Sequence, residues 1–251
     1  MKTKRMNKKM NKIKKKNFTR KKSIYETLLQ IKQINNIITK ESADKLKEII
    51  SPFFEKEVLS KINECPRPIK QKYGDFVERS KGRFEITPPT LLENKIWKIL
   101  LENEKFLNIN KEIKEIINKN NKNCKEELCI LPVEPNTKTG VWHRDIFIYS
   151  KKDFERKPYY ITQIIYLDDK ANTKFCINSQ NNINDNADLY NKKIIKATPL
   201  SSVIFDGRTL HMGLKNDAKK TRYAIYISYF DSSYVDKESN KTKILHKQKL
   251  C

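Results

Sequence analysis

The chain lacks any apolar run approaching the ~20 residues that a bilayer-spanning helix needs, so no transmembrane helix is expected. Nor does an apolar stretch follow its positively charged start, so no secretory signal is expected there. The five cysteines, Cys65, Cys124, Cys129, Cys176 and Cys251, include no CxxC pair. That spacing excludes a zinc ribbon and a thioredoxin-type site, and it leaves reduced thiols in an intracellular compartment as the expectation. The expectation is a soluble protein of the cytoplasm or nucleus, with no membrane partner. Acidic residues are missing from the first 23 positions, which carry twelve Lys or Arg. Histidine is scarce too. Any imidazole-based site must draw on His143, His211 and His246.

What is present is a large basic excess. The formal charge is +23 over 251 residues, and the N-terminal run supplies +12 of it. Basic clusters displace counterions from phosphate backbones, so nucleic acid is one candidate partner, and nuclear import is another role for such an arm. A silent, disordered extension is the alternative. Lys, Asn and Ile all have AT-rich codons, and drift on a solvated surface accounts for part of the excess. Residues 1–22 are therefore read as a basic disordered arm, 23–234 as one domain, and 235–251 as a basic tail.

Within the domain the first part, 23–120, reads as helical. Ser23 to Glu26 fits a capping box, opening a pattern in which Leu28, Ile31, Ile34 and Ile38 share one helical face. A second helix starts near Ser42, breaks at Pro52 and resumes through FFEKEVLSKI. CPRPIKQKYG reads as a loop and GRFEI as a short strand. LLENKIWKILLEN reads as a helix burying Leu92, Ile96 and Leu100, and Ile113, Ile116 and Ile117 suggest a further turn or two. From Lys125 the character changes. ELCILPV, GVWHRDIFIY, YYITQIIYL, KFCIN, SSVIFD and RYAIYISYF are short β-branched or aromatic runs bounded by turn formers. Residues 125–234 are thus the β-rich half, in a sandwich or barrel of antiparallel strands.

Chemistry concentrates in two of those runs. On a strand, residues two apart face the same way, so His143 and Asp145 in WHRD would offer two ligands to one metal. His211, just after SSVIFDGRTL, can supply the third. Two imidazoles and one carboxylate form the facial triad of non-haem iron(II) oxygenases, which leaves positions open for a bidentate 2-oxoacid and dioxygen. Arg222 follows His211 by eleven residues, and its planar fork suits the far carboxylate of that 2-oxoacid. Strand alternation lets only one of Thr162 and Gln163 face the same pocket. Trp142, Arg144 and Tyr223 should point away from it, Asp206 suits a turn-stabilising role, and His246 belongs to the solvated tail.

Read together, GVWHRDI, YYITQIIYLDD, PLSSVIFDGRTLHMGLKND and TRYAIYISYF resemble the phytanoyl-CoA dioxygenase-like branch of the 2-oxoglutarate oxygenases, over roughly Glu127 to Asp231. The resemblance implies an α+β fold, a double-stranded β-helix or jelly roll with flanking N-terminal helices. It implies iron(II) on His143, Asp145 and His211, 2-oxoglutarate on Arg222, dioxygen as oxidant and ascorbate as a stimulant. The products would be succinate, carbon dioxide and a hydroxylated small molecule or side chain. Gly213 and Asn216 also fit the family pattern. Halogenases resembling this family lack the carboxylate, so Asp145 favours hydroxylation. NTKFCINSQNNIN departs from the family by lacking a histidine, which leaves lid and substrate contacts unassigned. Two other functions compete: an oxygenase acting on nucleic acid or a nucleic-acid-bound protein, and a non-catalytic binding module on the same scaffold.

Overall fold

A computed structural model describes residues 30–62, 76–119, 123–146 and 160–232. The basic arm, the expected capping box at Ser23, the CPRPIKQKYG loop and the basic tail with His246 lie outside the described residues.

The described residues contain ten strands: β1 (Lys32–Ile34), β2 (Phe76–Ser80), β3 (Arg83–Ile86), β4 (Cys124–Val133), β5 (Tyr160–Tyr166), β6 (Thr173–Cys176), β7 (Lys192–Ile195), β8 (Ser202–Asp206), β9 (His211–Gly213) and β10 (Arg222–Asp231). They form a seven-stranded sheet, β1-β8-β5-β10-β4-β3-β2, and a three-stranded sheet, β7-β6-β9. Every pairing is antiparallel. This is the expected α+β class with a jelly-roll core.

The pleat divides β10 between two environments. Tyr223, Ile225, Ile227 and Tyr229 face outward into a core shared with the helices. Ala224 faces the other way, into a second core with Ile164, Val203 and Phe205 of the large sheet and Phe175 of the small one. Both faces of the central strands are covered, which explains why these runs are apolar almost throughout. Fully burying one such Ile or Phe contributes about 2 kcal/mol before packing losses.

The outer layer is α1 (Lys40–Phe53), α2 (Ser60–Ile62), α3 (Thr90–Leu101) and α4 (Glu104–Asn118). Thr39 caps α1, its hydroxyl accepting from the Ser42 amide at 3.1 Å, and Leu46 and Ile50 are buried from it. No described helix is long and apolar enough to cross a membrane.

The structure corrects several expectations. Ile31 and Ile34 do not belong to a helix; Lys32–Ile34 pair with Ser202–Ile204 as an edge strand. Pro52 does not break its helix. It lies inside α1, and the chain continues through a π-turn at Phe54–Leu59 into α2. Strands β2, β7 and β9 are additional to those expected, and α4 is a full helix of 15 residues. GVWHRDI is not a regular strand either: His143 makes only an isolated bridge and Asp145 lies in a bend.

Candidate active site

The bridge at His143 is what builds the site. His143 N donates to His211 O and His211 N donates to His143 O, both at 2.9 Å. Residues directly opposite in an antiparallel pair project from the same face, and the two rings stand 4.3 Å apart between centroids. The Asp145 amide donates to Gly207 O at 2.9 Å, which pins the bend and turns the carboxylate inward. His143 and Asp145 thus converge through local bridging and a bend rather than through strand alternation.

His143 Nε2 lies 3.9 Å and His211 Nε2 3.4 Å from Asp145 Oδ1. One ligand atom from each residue falls within 4.8 Å of the others. Each Nδ1 faces a backbone carbonyl two residues earlier, His143 that of Val141 at 3.0 Å and His211 that of Thr209 at 2.9 Å. A carbonyl only accepts, so each Nδ1 carries a proton, and Nε2 is the ring atom left on the Asp145 side to act as a ligand. The second carboxylate oxygen, Oδ2, accepts from Thr162 Oγ1 at 2.6 Å. That leaves Oδ1 for the imidazole side, the orientation expected of metal ligands and their supports.

Burial differs between the two histidines. The His143 side chain is 49% exposed, whereas those of His211 and Asp145 are 5% and 6% exposed. The His211 ring stacks on Phe175 at 5.6 Å and meets Phe205 edge-on at 4.7 Å. Desolvation by this packing pushes its pKa down to about 4, against the opposing charge of Asp145. His211 is therefore neutral near pH 7, as a metal ligand must be.

Thr162 and Gln163 separate as alternation requires. Thr162 faces Asp145. Gln163 faces the helical layer, donating to Ser202 Oγ at 3.1 Å and accepting from Tyr229 OH at 2.9 Å. That geometry removes Gln163 from the pocket.

Arg222 opens β10 on the inner face and is buried. Its Nη1 donates to Lys170 O and Lys215 O at 2.8 and 2.9 Å, and its Nη2 to Leu214 O at 2.5 Å. These bonds use three of five N–H hydrogens, and no carboxylate among the described residues pairs with it. A buried guanidinium whose hydrogen bonds among the described residues all go to carbonyls is suited to an anionic ligand. Nearby, the buried Tyr166 hydroxyl shares a 2.8 Å hydrogen bond with Thr173 Oγ1. Burial raises the Tyr166 pKa to about 12, with Arg222 and the Thr173 bond opposing. Nothing in the order of residues flagged Tyr166 or Thr173.

The surroundings are structural. Arg144 spans to Asp185 Oδ1 at 2.6 Å, Ser179 O at 2.9 Å and the carbonyls of Asn182, Asn184 and Arg208. Asp206 accepts from the Arg208 amide and from its Nε, both at 2.9 Å, fixing the turn before β9. Gly207 is needed there, because a Cβ would sit 2.5 Å from the Tyr160 ring. Trp142 packs on Cys176, Ala187 and Leu210. Tyr223 lies edge-on to Phe54 and donates to Ser51 Oγ at 3.0 Å, outside the pocket. Asn216 Nδ2 ties down the carbonyls of Val133, Glu134 and Lys220.

No protein-family model matches the chain, and no curated protein matches it. Solved structures do. The non-haem α-ketoglutarate-dependent epimerase SnoN from nogalamycin biosynthesis aligns with a TM-score of 0.57 at 11% identity, over 85% of this chain and 84% of that one. AviO1 from Streptomyces viridochromogenes Tue57 aligns with a TM-score of 0.57 at 16% identity, over 86% and 96%. The non-haem α-ketoglutarate-dependent carbocyclase SnoK, also from nogalamycin biosynthesis, aligns with a TM-score of 0.52 at 14% identity, over 84% and 83%. A further SnoN structure is a complex with Fe3+, α-ketoglutarate and nogalamycin RO. At these identities the likeness establishes the fold: the chain has the architecture of non-haem α-ketoglutarate-dependent enzymes, with a His-Asp-His cluster built into it.

Proposed function

We propose that this chain is an iron(II)- and 2-oxoglutarate-dependent oxygenase, resembling the phytanoyl-CoA dioxygenase branch, that hydroxylates a C–H bond of a small molecule or side chain. One observation carries the reading. Two Nε2 atoms and one carboxylate oxygen converge, each oriented by a second hydrogen bond from its own side chain. Two imidazoles and one carboxylate suit a divalent non-haem iron and leave half of a six-coordinate sphere for other ligands. Bound iron(II) would supply activation of dioxygen, coupled to oxidative decarboxylation of 2-oxoglutarate to succinate and hydroxylation of the substrate.

The protein's own contribution is positional. Asp145 supplies negative charge, held in one rotamer by Thr162. Phe175 and Phe205 keep water from the His211 side. Arg222 receives the far carboxylate of the 2-oxoacid, with the Tyr166–Thr173 hydroxyl pair beside it. The carboxylate at position 145 supports hydroxylation over halogenation. The basic arm lies outside the described residues, and action on nucleic acid rests on its charge alone.

The test is incubation with iron(II), ascorbate, 2-oxoglutarate and dioxygen, following succinate. Succinate formation dependent on His143, Asp145 and His211 supports the proposal, and a product heavier by one oxygen atom supports hydroxylation. A folded protein that binds no iron under anaerobic conditions would overturn it.

A further inference from the structure

Arg83 begins β3, in the hairpin β2–β3 at the edge of the large sheet, yet its guanidinium reaches the ligand-bearing segments. Nε and Nη2 donate to Lys138 O at 3.0 and 2.8 Å, and Nη2 also donates to Leu214 O at 2.6 Å. That Leu214 carbonyl is the one that accepts from Arg222 Nη2. A single oxygen thus bridges two guanidinium groups.

The approach to Gly213 is close: a Cβ there would lie 2.8 Å from Arg83 Nη1, whereas one on Gly140 would make an ordinary 3.5 Å contact with Arg83 Nε. Arg83 Nη1 makes no hydrogen bond to the described residues, and no carboxylate among them pairs with Arg83. Glu85, its neighbour on the same face of β3, is taken by Arg79 at 2.7 Å. Burial, and then the charge of Arg222, push the Arg83 pKa down to about 10. Two cations that feel each other in a partly desolvated place raise the local positive potential above what either gives alone.

We propose that Arg83 is a second cationic determinant of the co-substrate subsite: it fixes the Leu214 carbonyl that orients Arg222 and adds to the potential selecting a dicarboxylic over a monocarboxylic 2-oxoacid. This rests on the 2-oxoglutarate reading above. Arg83 is a positioning residue here. The distal carboxylate of the ligand meets Arg222, and Arg83 acts through the shared carbonyl and through its charge.

The experiment uses the full chain loaded with iron(II) without oxygen. Binding of 2-oxoglutarate and of 2-oxobutyrate is followed by metal-to-ligand charge-transfer absorption. Both chelate through the keto and adjacent carboxylate groups, but 2-oxobutyrate has no distal carboxylate. Arg83→Met should weaken 2-oxoglutarate binding about tenfold or more while leaving 2-oxobutyrate and iron affinity as in the parent. Arg83→Lys, which keeps the charge and the hairpin, should recover part of the loss. In turnover the 2-oxoglutarate KM should rise while kcat stays within about twofold. Equal loss of both ligands, or loss of neither, would overturn the assignment. If the parent bound neither ligand, the broader reading would fail and this one with it.

Discussion

His143 and His211 face each other across a single two-bond bridge, each amide donating to the other's carbonyl at 2.9 Å. The bridge sets the two backbones, and each ring is then held by its own Nδ1 bond to a carbonyl two residues earlier. Replacing either histidine by alanine should lower iron(II) affinity about a hundredfold or more, beyond the effect of losing an outer support. Both variants should stay folded. His246→Ala should bind iron like the parent. Anaerobic equilibrium dialysis measures all three.

Thr162 holds one oxygen of Asp145 at 2.6 Å. Thr162→Val keeps the shape and removes the donor, so the carboxylate gains rotational freedom. Iron affinity should fall about tenfold to a hundredfold, with a stability loss of about 1 kcal/mol. Paired metal titration and urea denaturation would separate the two effects; unaltered metal affinity would remove Thr162 from the site.

The depressed pKa of His211 sets a pH dependence for the metal-free protein. Its folded value is about 4 against an ordinary 6.5, so between those limits the unfolded chain binds the extra proton. Stability therefore rises with pH over this window. It is fully present above pH ~6.5 and is lost as pH falls toward ~4, by about 3 kcal/mol in all. Urea denaturation at pH 7 and 4.5 should show most of this loss in the parent. In His211→Leu, where an apolar side chain meets Phe175 and Phe205, the difference should shrink.

Arg222 already gives three N–H groups to the carbonyls of Lys170, Leu214 and Lys215. Lys in its place keeps the charge and loses the fork. Arg222→Lys should raise the 2-oxoglutarate KM about tenfold or more, the scale of a charge-assisted hydrogen bond. Behaviour like the parent in steady-state kinetics would contradict the carboxylate role.

Gly207 sits under Tyr160, whose ring would be 2.5 Å from an added Cβ, and its carbonyl accepts the Asp145 amide. Gly207→Ala should cost about 1–3 kcal/mol through overpacking and should weaken iron binding through Asp145. Thermal unfolding together with metal titration checks both.

The strands that carry the site were legible because β5, β8 and β10 are short β-branched and aromatic runs that no helical period fits. His143, Asp145, His211 and Arg222 were singled out by residue type and order, and the fold brings the first three together. What misled was local pattern without tertiary context. Ile31, Ile34 and Ile38 satisfy a helical face, yet pairing with β8 places Lys32–Ile34 on a strand, an override that β-propensity often undergoes. Pro52 looks like a stop, but the following turn widens and the helix runs on. Arg83 was invisible as a site residue because its partners, Lys138 O and Leu214 O, are backbone atoms 55 and 131 residues away.

Anaerobic titration of the parent and the Asp145→Ala chain with iron(II), followed by 2-oxoglutarate, tests the central claim most directly. The parent should take up one iron per chain and develop a charge-transfer band on adding the 2-oxoacid, and Asp145→Ala should bind iron at least tenfold more weakly. A folded parent that takes up no iron, or one whose uptake is indifferent to Asp145, would contradict the account.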